Sequence, residues 1–277
     1  MTLKKTLAQL ALVATIALST PAWANKTAQE VLASGSTAEE KGNAVAYEAD
    51  IRDLGYGDTM ADVEMVLYNA HGQKTSRKMR NLSFELPQKG VGDKTLIIFD
   101  TPRDIKGTAF LTFSKILDPD DQWMYLPALG RSKRISSKNK SGPFMGSEFA
   151  YEDISSQEVG KYKYKYLRNE ACGERDCFVL ERYPLYKFSG YTRQVVWLDT
   201  KEFLLIKMDF YDRKNSLLKT MSNHDYQQFL GQYWRPGKMS MVNHQNGKST
   251  DLIWKNYAFK VGLVERDFTK AKLKNVK

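Results

Sequence analysis

Short segments in which apolar and polar residues alternate recur through nearly the whole chain, and this constrains the fold more than any other feature. Residues 62–86, "DVEMVLYNAHGQKTSRKMRNLSFEL", place Val63, Met65 and Leu67 at a period of two and turn at His71-Gly72, which reads as a hairpin. "KTLIIFDTP", "KGTAFLTFSK" and "DQWMYLPAL" follow, punctuated by Pro102, Gly107, Pro127 and Gly130. The second half continues with "KYKYKYLRN", "CFVLERYP", "TRQVVWLDT", "FLLIKMDFYD", "LLKTMSNHDYQQF", "YWRPGKMSMVNH" and "STDLIWKNYAF". Roughly eleven strands at spacings of about 8 to 15 residues indicate one large antiparallel sheet. A sheet of that size must curl or close. The expected class is therefore mainly β (α+β), with a strongly curved sheet or incomplete barrel. Helical material is sparse: residues 26–33 and a second piece over residues 145–155 are expected to lie as a lid across the open side. Such a shape encloses an apolar concavity. A packed sandwich or barrel without a cavity fits the same periodicity.

The N-terminus reads as a targeting segment. Lys4 and Lys5 precede an apolar run from Leu10 to Leu18, and Pro21-Ala22-Trp23-Ala24 supplies a small-residue cleavage signal. Cleavage is expected after Ala24, which makes residues 1–24 a signal peptide and residues 25–277 a single domain. The apolar run is too short to span a bilayer. The expected location is the periplasm. Removal of 24 of the 277 residues leaves 253, and losing Lys4 and Lys5 lowers the formal net charge from +10 to +8. That charge suits solubility, an anionic membrane surface, an anionic lipid or an acidic partner. The export signal argues against nucleic acid.

Cys172 and Cys177 lie in "ACGERDC". In an exported chain this pair reads as a disulfide across a hairpin turn, rather than a redox or metal pair, because the spacing is not C-x-x-C and no His pattern lies beside it. No nucleophile elbow, zincin helix, phosphate loop or dinucleotide fingerprint occurs. His224-Asp225 reads as a satisfied polar pair. The chain is expected to be no enzyme, with no cofactor and no metal.

Residues 121–154 combine unlike neighbours. An aromatic strand puts Trp123 and Tyr125 on one face and Met124 and Leu126 on the other. Five cations follow: Arg131, Lys133, Arg134, Lys138 and Lys140. Then come Phe144, Met145, Phe149 and Tyr151 among acids. Aromatics beside a mobile cationic loop suit a ligand with an apolar body and an anionic head. Equally, the aromatics fill a core and the cations are solvated. Glu148 and Glu152, at i and i+4 on a short helix, are expected to dock onto Arg131, Lys133 or Arg134.

This stretch closely resembles the signature of the outer-membrane lipoprotein-sorting protein family, relatives of the periplasmic carrier LolA. The matching elements are Trp123-Met124-Tyr125-Leu126-Pro127, Arg131, Arg134-Ile135, Phe144-Met145-Gly146-Ser147, Phe149 and Tyr151-Glu152-Asp153, with Phe268, Thr269 and Leu273 at the end. The resemblance implies an incomplete β-barrel with helices as a lid over a hydrophobic cavity. It implies a periplasmic carrier or chaperone for the acyl chains of lipoproteins or lipids bound for the outer membrane. It also implies transient membrane contact and an inner-membrane RND/MMPL-type transporter as partner.

The cavity candidates are Met65, Leu67, Phe110, Phe113, Trp123, Tyr125, Phe144, Met145, Phe149, Val196, Leu205 and Met208. Arg131, Lys133, Arg134, Lys138 and Lys140 are the candidate contacts for an anionic head group or a partner. The alternative is an adaptor that carries nothing and docks on a membrane transporter through the basic loop. A hydrolase of envelope lipids ranks last.

Overall fold

The computed structural model describes residues 25–86 and 91–275. The expected signal peptide at residues 1–24 lies outside the described residues. Two α-helices open the described chain, α1 (Ala28–Ala33) and α2 (Ala38–Asp53). Both begin with reciprocal capping boxes, Thr27 with Glu30 and Thr37 with Glu40, which satisfy backbone N–H groups that the first turn leaves unpaired. α2 extends well beyond the helical opening expected from the sequence. It buries a stripe of small residues, Gly42, Val45 and Ala46, at helical spacing.

Fifteen strands follow: β1 (Asp58–Tyr68), β2 (Lys74–Phe84), β3 (Val91–Thr101), β4 (Ala109–Lys115), β5 (Asp121–Leu126), β6 (Arg131–Arg134), β7 (Tyr162–Cys172), β8 (Arg175–Pro184), β9 (Arg193–Asp199), β10 (Leu205–Tyr211), β11 (Leu217–His224), β12 (Gln227–Phe229), β13 (Tyr233–Arg235), β14 (Lys238–Asn243) and β15 (Ser249–Phe259). Thirteen form one antiparallel sheet in the order β6-β5-β4-β3-β2-β1-β15-β14-β11-β10-β9-β8-β7. β12 and β13 pair apart from it as a short hairpin. The main sheet is strongly curved, and its end strands β6 and β7 do not meet. The expected class therefore holds, with more strands than the roughly eleven read from the sequence.

The faces of the sheet are unequal. The concave face, with α1, α2 and the segment 144–159, builds the large core around Met65, Phe99, Phe110, Phe144, Phe178 and Met241. The convex face carries smaller clusters. One is Leu96, Ile98, Leu111 and Trp123, covered by Phe268 and Leu273 of the C-terminal segment. Another is Cys177, Val179, Val195 and Trp197. β3 and β4 are thus covered on both sides, so their sequences read as continuous apolar runs.

α2 presses directly on β7. A Cβ on Gly42 would lie 2.8 Å from the backbone nitrogens of Lys165 and Tyr166. The disulfide Cys172–Cys177 closes the β7–β8 hairpin around Gly173, which has a φ of 71°.

Residues 145–155 form no α-helix. Met145 and Gly146 adopt φ of 49° and 74°, a left-handed conformation through which a helix cannot run. The segment is instead a strap across the concave face, held by its acids and its backbone. Lys219 donates to Glu148 O at 2.7 Å and to Asp153 Oδ2 at 2.6 Å. The Tyr191 hydroxyl also donates to Asp153, at 2.8 Å. Glu152 accepts from Gly190 N at 2.8 Å, Ser189 Oγ at 2.9 Å and Tyr186 Oη at 3.1 Å. Asn243 donates to Glu148 Oε2 at 2.7 Å, and Arg77 donates to Met145 O. The expected docking of Glu148 and Glu152 onto Arg131, Lys133 or Arg134 does not occur, because Glu148 is taken by Asn243 and Asn246 and Glu152 by Tyr186, Ser189 and Gly190.

Candidate functional site: an apolar cavity under the curved sheet

Curvature leaves space between the concave face and its covering elements. A half-open cavity of about 1170 Å³ occupies it. This exceeds the roughly 300–1,000 Å³ usual for small-molecule sites. Its floor is the centre of the sheet: Val63 of β1, Met79 of β2, Ile97 of β3, Leu205 of β10, Met239 of β14, and Leu252 and Trp254 of β15. Cross-strand register aligns these side chains. Val63 pairs with both Met79 and Trp254, and Met239 pairs with Leu252. The roof comes from Tyr47, Ala49, Ile51 and Leu54 of α2 and its cap, from Phe149 and Ile154 of the strap, and from Phe203. The β12–β13 hairpin closes one side with Gln228, Gly231, Gln232, Trp234 and Arg235.

The hairpin is anchored from behind. Phe229 stacks on Phe259 at 5.2 Å between ring centroids, and Tyr233 stacks on Phe259 at 5.7 Å. Arg235 pairs with Asp53 at the end of α2, at 2.5 Å.

Arg52, Asp53, Asp93, Asp153, Glu202 and Arg235 are the charged residues of the lining, and further carboxylates gather near Asp93. Asp93 accepts from the Tyr56 hydroxyl at 2.8 Å and from Leu86 N at 3.0 Å. Burial nevertheless pushes its carboxyl up to about 6, with Glu158 and Glu85 adding to the rise. Asp50, on the next turn from Asp53, is likewise pushed to about 6 by burial and then by Glu158, Asp53 and Glu85. Glu85 accepts from Gly55 N and Gly57 N, both at 2.7 Å, and so fixes the turn that follows α2. Among the described residues no group of His, Cys, Asp and Glu is arranged to hold a metal ion.

The residues singled out from the sequence fall into four places. Phe149 and Leu205 line the cavity. Met65, Phe110, Phe144, Val196 and Met208 are buried in the core on the same face, and Leu67 and Met145 pack half-buried against it. Phe113, Trp123 and Tyr125 lie on the convex face, where Trp123 meets Phe113 edge-on at 5.1 Å and lies under Lys270. The alternation read in β5 is correct. It is Met124, the opposite partner, that points into the concave core.

The five cations do not form one mobile loop. Arg131, Lys133 and Arg134 lie on edge strand β6, exposed, with Arg134 paired to Asp121. Lys138 is exposed. Lys140 is buried under Tyr186, with its ammonium 3.6 Å from the ring centroid, and burial lowers its pKa. None of the five lines the cavity.

Sequence reasoning missed most of α2, together with Met79, Ile97, Met239, Leu252, Trp254 and the β12–β13 hairpin. The two capping boxes and the small-residue stripe at 42, 45, 46 and 49 were the available signals for α2. The hairpin, only three residues per strand, carries no periodic signal.

The arrangement is an antiparallel half-barrel wrapped around an apolar cavity and roofed by a helix and a strap. A family model described as "Uncharacterized protein" matches residues 92–275. An outer membrane lipoprotein-sorting protein domain from Vibrio parahaemolyticus is 54% identical, with a TM-score of 0.83 over 85% of this chain and 99% of that one. A DUF1329 family protein from Desulfovibrio piger is 30% identical, with a TM-score of 0.81 over 86% of this chain and 100% of that one. A LolA superfamily protein from Nitrosomonas europaea shares the fold at 21% identity, with a TM-score of 0.66 over 89% and 99% of the two chains. No curated protein matches. The chain belongs to the outer-membrane lipoprotein-sorting protein family, and its fold is that of the LolA superfamily.

Proposed function

We propose that the protein is a periplasmic carrier that shelters the acyl chains of lipoproteins or lipids in the cavity on their way to the outer membrane. The observation that carries this reading is the cavity itself. It is large, half-open and floored by apolar side chains of the concave face. Each methylene moved from water to that floor contributes about 0.8 kcal/mol, so a long chain is held without any specific polar contact. No chemical step is required of the protein; release needs only an acceptor that binds the cargo better. The kinship with a lipoprotein-sorting domain supports the cargo class and the compartment. An inner-membrane RND/MMPL-type transporter, implied by the sequence resemblance, would load or unload the carrier.

Displacement of a fluorescent fatty acid from the purified protein tests this directly. Asn81 lines the cavity from β2 and is only half-buried, so Asn81→Trp fills space without removing core packing. Saturable binding by the wild type and a loss of at least about tenfold in N81W, with the melting temperature unchanged, is the expected result. Absence of binding by the wild type at any concentration would replace this reading with that of an adaptor docking on a transporter.

A further inference from the structure

One row of side chains breaks the apolar floor. Thr59, Ser83, Thr95 and Thr112 are register partners across β1, β2, β3 and β4, and Thr112 pairs in turn with Gln122 of β5. Alternation puts the row on the concave face, since Thr95 shares the side of Ile97, Thr112 that of Phe110 and Gln122 that of Met124. Thr59, Ser83 and Thr95 line the cavity. Gln122 is satisfied by the strap, donating to Ser155 Oγ at 2.8 Å. Thr95 and Thr112 are not satisfied. Each hydroxyl is buried without a hydrogen-bond partner among the described residues, and Thr112 is only 1% exposed. The two positions are directly opposed, yet the hydroxyls do not bond to each other. A buried unpaired hydroxyl costs stability that valine, of the same shape, would not cost. Two such groups stand side by side here, one of them in the cavity wall, where a bound polar group would satisfy them.

The charge around this row is negative. Asp93, two residues before Thr95, lines the cavity with it. Glu85, Glu158, Asp50 and Asp53 lie close by, and burial with mutual repulsion is what raises the Asp50 and Asp93 carboxyls to about 6. Among the described residues only Asp53 of these five has an ion-pair partner, Arg235 at 2.5 Å. Glu85 is met by Gly55 N and Gly57 N, Glu158 by Ser156 Oγ and Asp93 by the Tyr56 hydroxyl, all neutral donors that leave the charge in place. Lys161 reaches Ser114, two residues beyond Thr112, at 2.8 Å, but Asp120 holds its ammonium at 3.1 Å. Acceptors therefore exceed cations at this end of the cavity. A positive group with several N–H donors satisfies the hydroxyls and the carboxylates together.

We propose that this end of the cavity is a subsite for the ammonium group of an amphiphile whose alkyl chain lies along the apolar floor. The ammonium donates to the Thr95 hydroxyl and lies beside the Asp93 carboxylate. A fatty-acid carboxylate finds no counter-charge at this end and has to point away from it. The subsite rests on the carrier reading and specifies the polar end of the cargo. An ammonium of this kind is carried by the ethanolamine head of a phospholipid and by phosphate-free aminolipids.

Displacement of uncharged, fluorescent N-phenylnaphthylamine by dodecylamine, dodecanol and dodecanoate provides the test, using wild type, Thr95→Val and Asp93→Asn. The whole chain carries a net positive charge, so long-range attraction favours the acid, and a preference for the amine has to come from the local site. The wild type is expected to bind the amine at least about tenfold more tightly than the acid, with the alcohol between them. T95V loses only an unpaired hydroxyl, so it is expected to keep or raise the melting temperature, which removes misfolding as an explanation. It should nevertheless lose about threefold or more of the amine's advantage, and D93N should lose most of it. Equal binding of amine and acid by the wild type, or tighter binding of the acid, overturns the proposal and leaves the carrier reading in place. An amine preference that both variants keep in full overturns it as well. Displacement by none of the three removes the carrier reading and the subsite with it. Native mass spectrometry after incubation with phosphatidylethanolamine vesicles then separates the sources. An adduct that weakens in D93N assigns the ammonium to the phospholipid head, and amine binding without an adduct assigns it to a phosphate-free aminolipid.

Discussion

Gly42 offers a sharp test of how the cavity roof is held. It sits inside α2, where replacing glycine by alanine in an isolated helix would add about 1 kcal/mol of helix stability. Here the added Cβ would lie 2.8 Å from Lys165 N and Tyr166 N, and 2.9 Å from Lys165 C. These are backbone atoms of β7, so no side chain can swing away to make room. Ordinary contact begins at 3.4 Å, and the helix must therefore retreat or tilt. Overpacking of this kind costs about 1–3 kcal/mol. Set against the helix gain, the net change for Gly42→Ala is a destabilisation of about 1 kcal/mol. For a chain of this size that lowers the melting temperature by about 2–4 °C. Gly42→Val adds more bulk than alanine and gains less helix propensity, so its drop should be clearly larger. Thermal unfolding followed by circular dichroism measures both. A rise in melting temperature for G42A would show that α2 does not press on β7 as described.

Three further outcomes follow from the same contacts. Lys219→Met removes the cation that bonds Asp153 and the Glu148 carbonyl, with both side chains of the ion pair about 95% buried, and should cost about 3–5 kcal/mol in urea unfolding. Folded Asp93 holds its proton up to about pH 6, against 3.8 for the unstrained group, so stability falls as pH rises through that window by up to about 2–3 kcal/mol and is level above it. Asp93→Asn should flatten that part of the stability-against-pH curve. Cys172→Ser with Cys177→Ser opens a short loop at the far end of the β7–β8 hairpin, and should cost about 2 kcal/mol in stability while leaving fatty-acid binding intact.

The architecture was largely legible because hairpin succession leaves period-two patterns and turn residues at regular spacing. Which face held the site was not. Trp123 and Tyr125 alternate correctly with Met124, yet alternation is silent about curvature, and the C-terminal Phe268 and Leu273 bury the convex face of β3–β5 as well. With both faces apolar, the larger aromatics drew the assignment to the wrong side. The basic stretch misled for a related reason. A sequence cannot show that Arg131–Arg134 pair with β5 while Lys140 turns inward beneath Tyr186. The strap was misread as a helix because its i, i+4 acids fit helical spacing. Their actual partners, Tyr186, Ser189, Gly190 and Asn243, lie 34 to 95 residues away. The signature motif itself was sound, because Phe144, Phe149 and the following acids do hold the cover over the concave face.

The most direct measurement is native mass spectrometry, with lipid extraction, of the protein isolated from the cell envelope without detergent. The carrier account predicts a mass raised by co-purifying phospholipid or acylated peptide, and an apo mass for N81W prepared in the same way. A clean apo mass for the wild type, unchanged after incubation with envelope lipids, would contradict it.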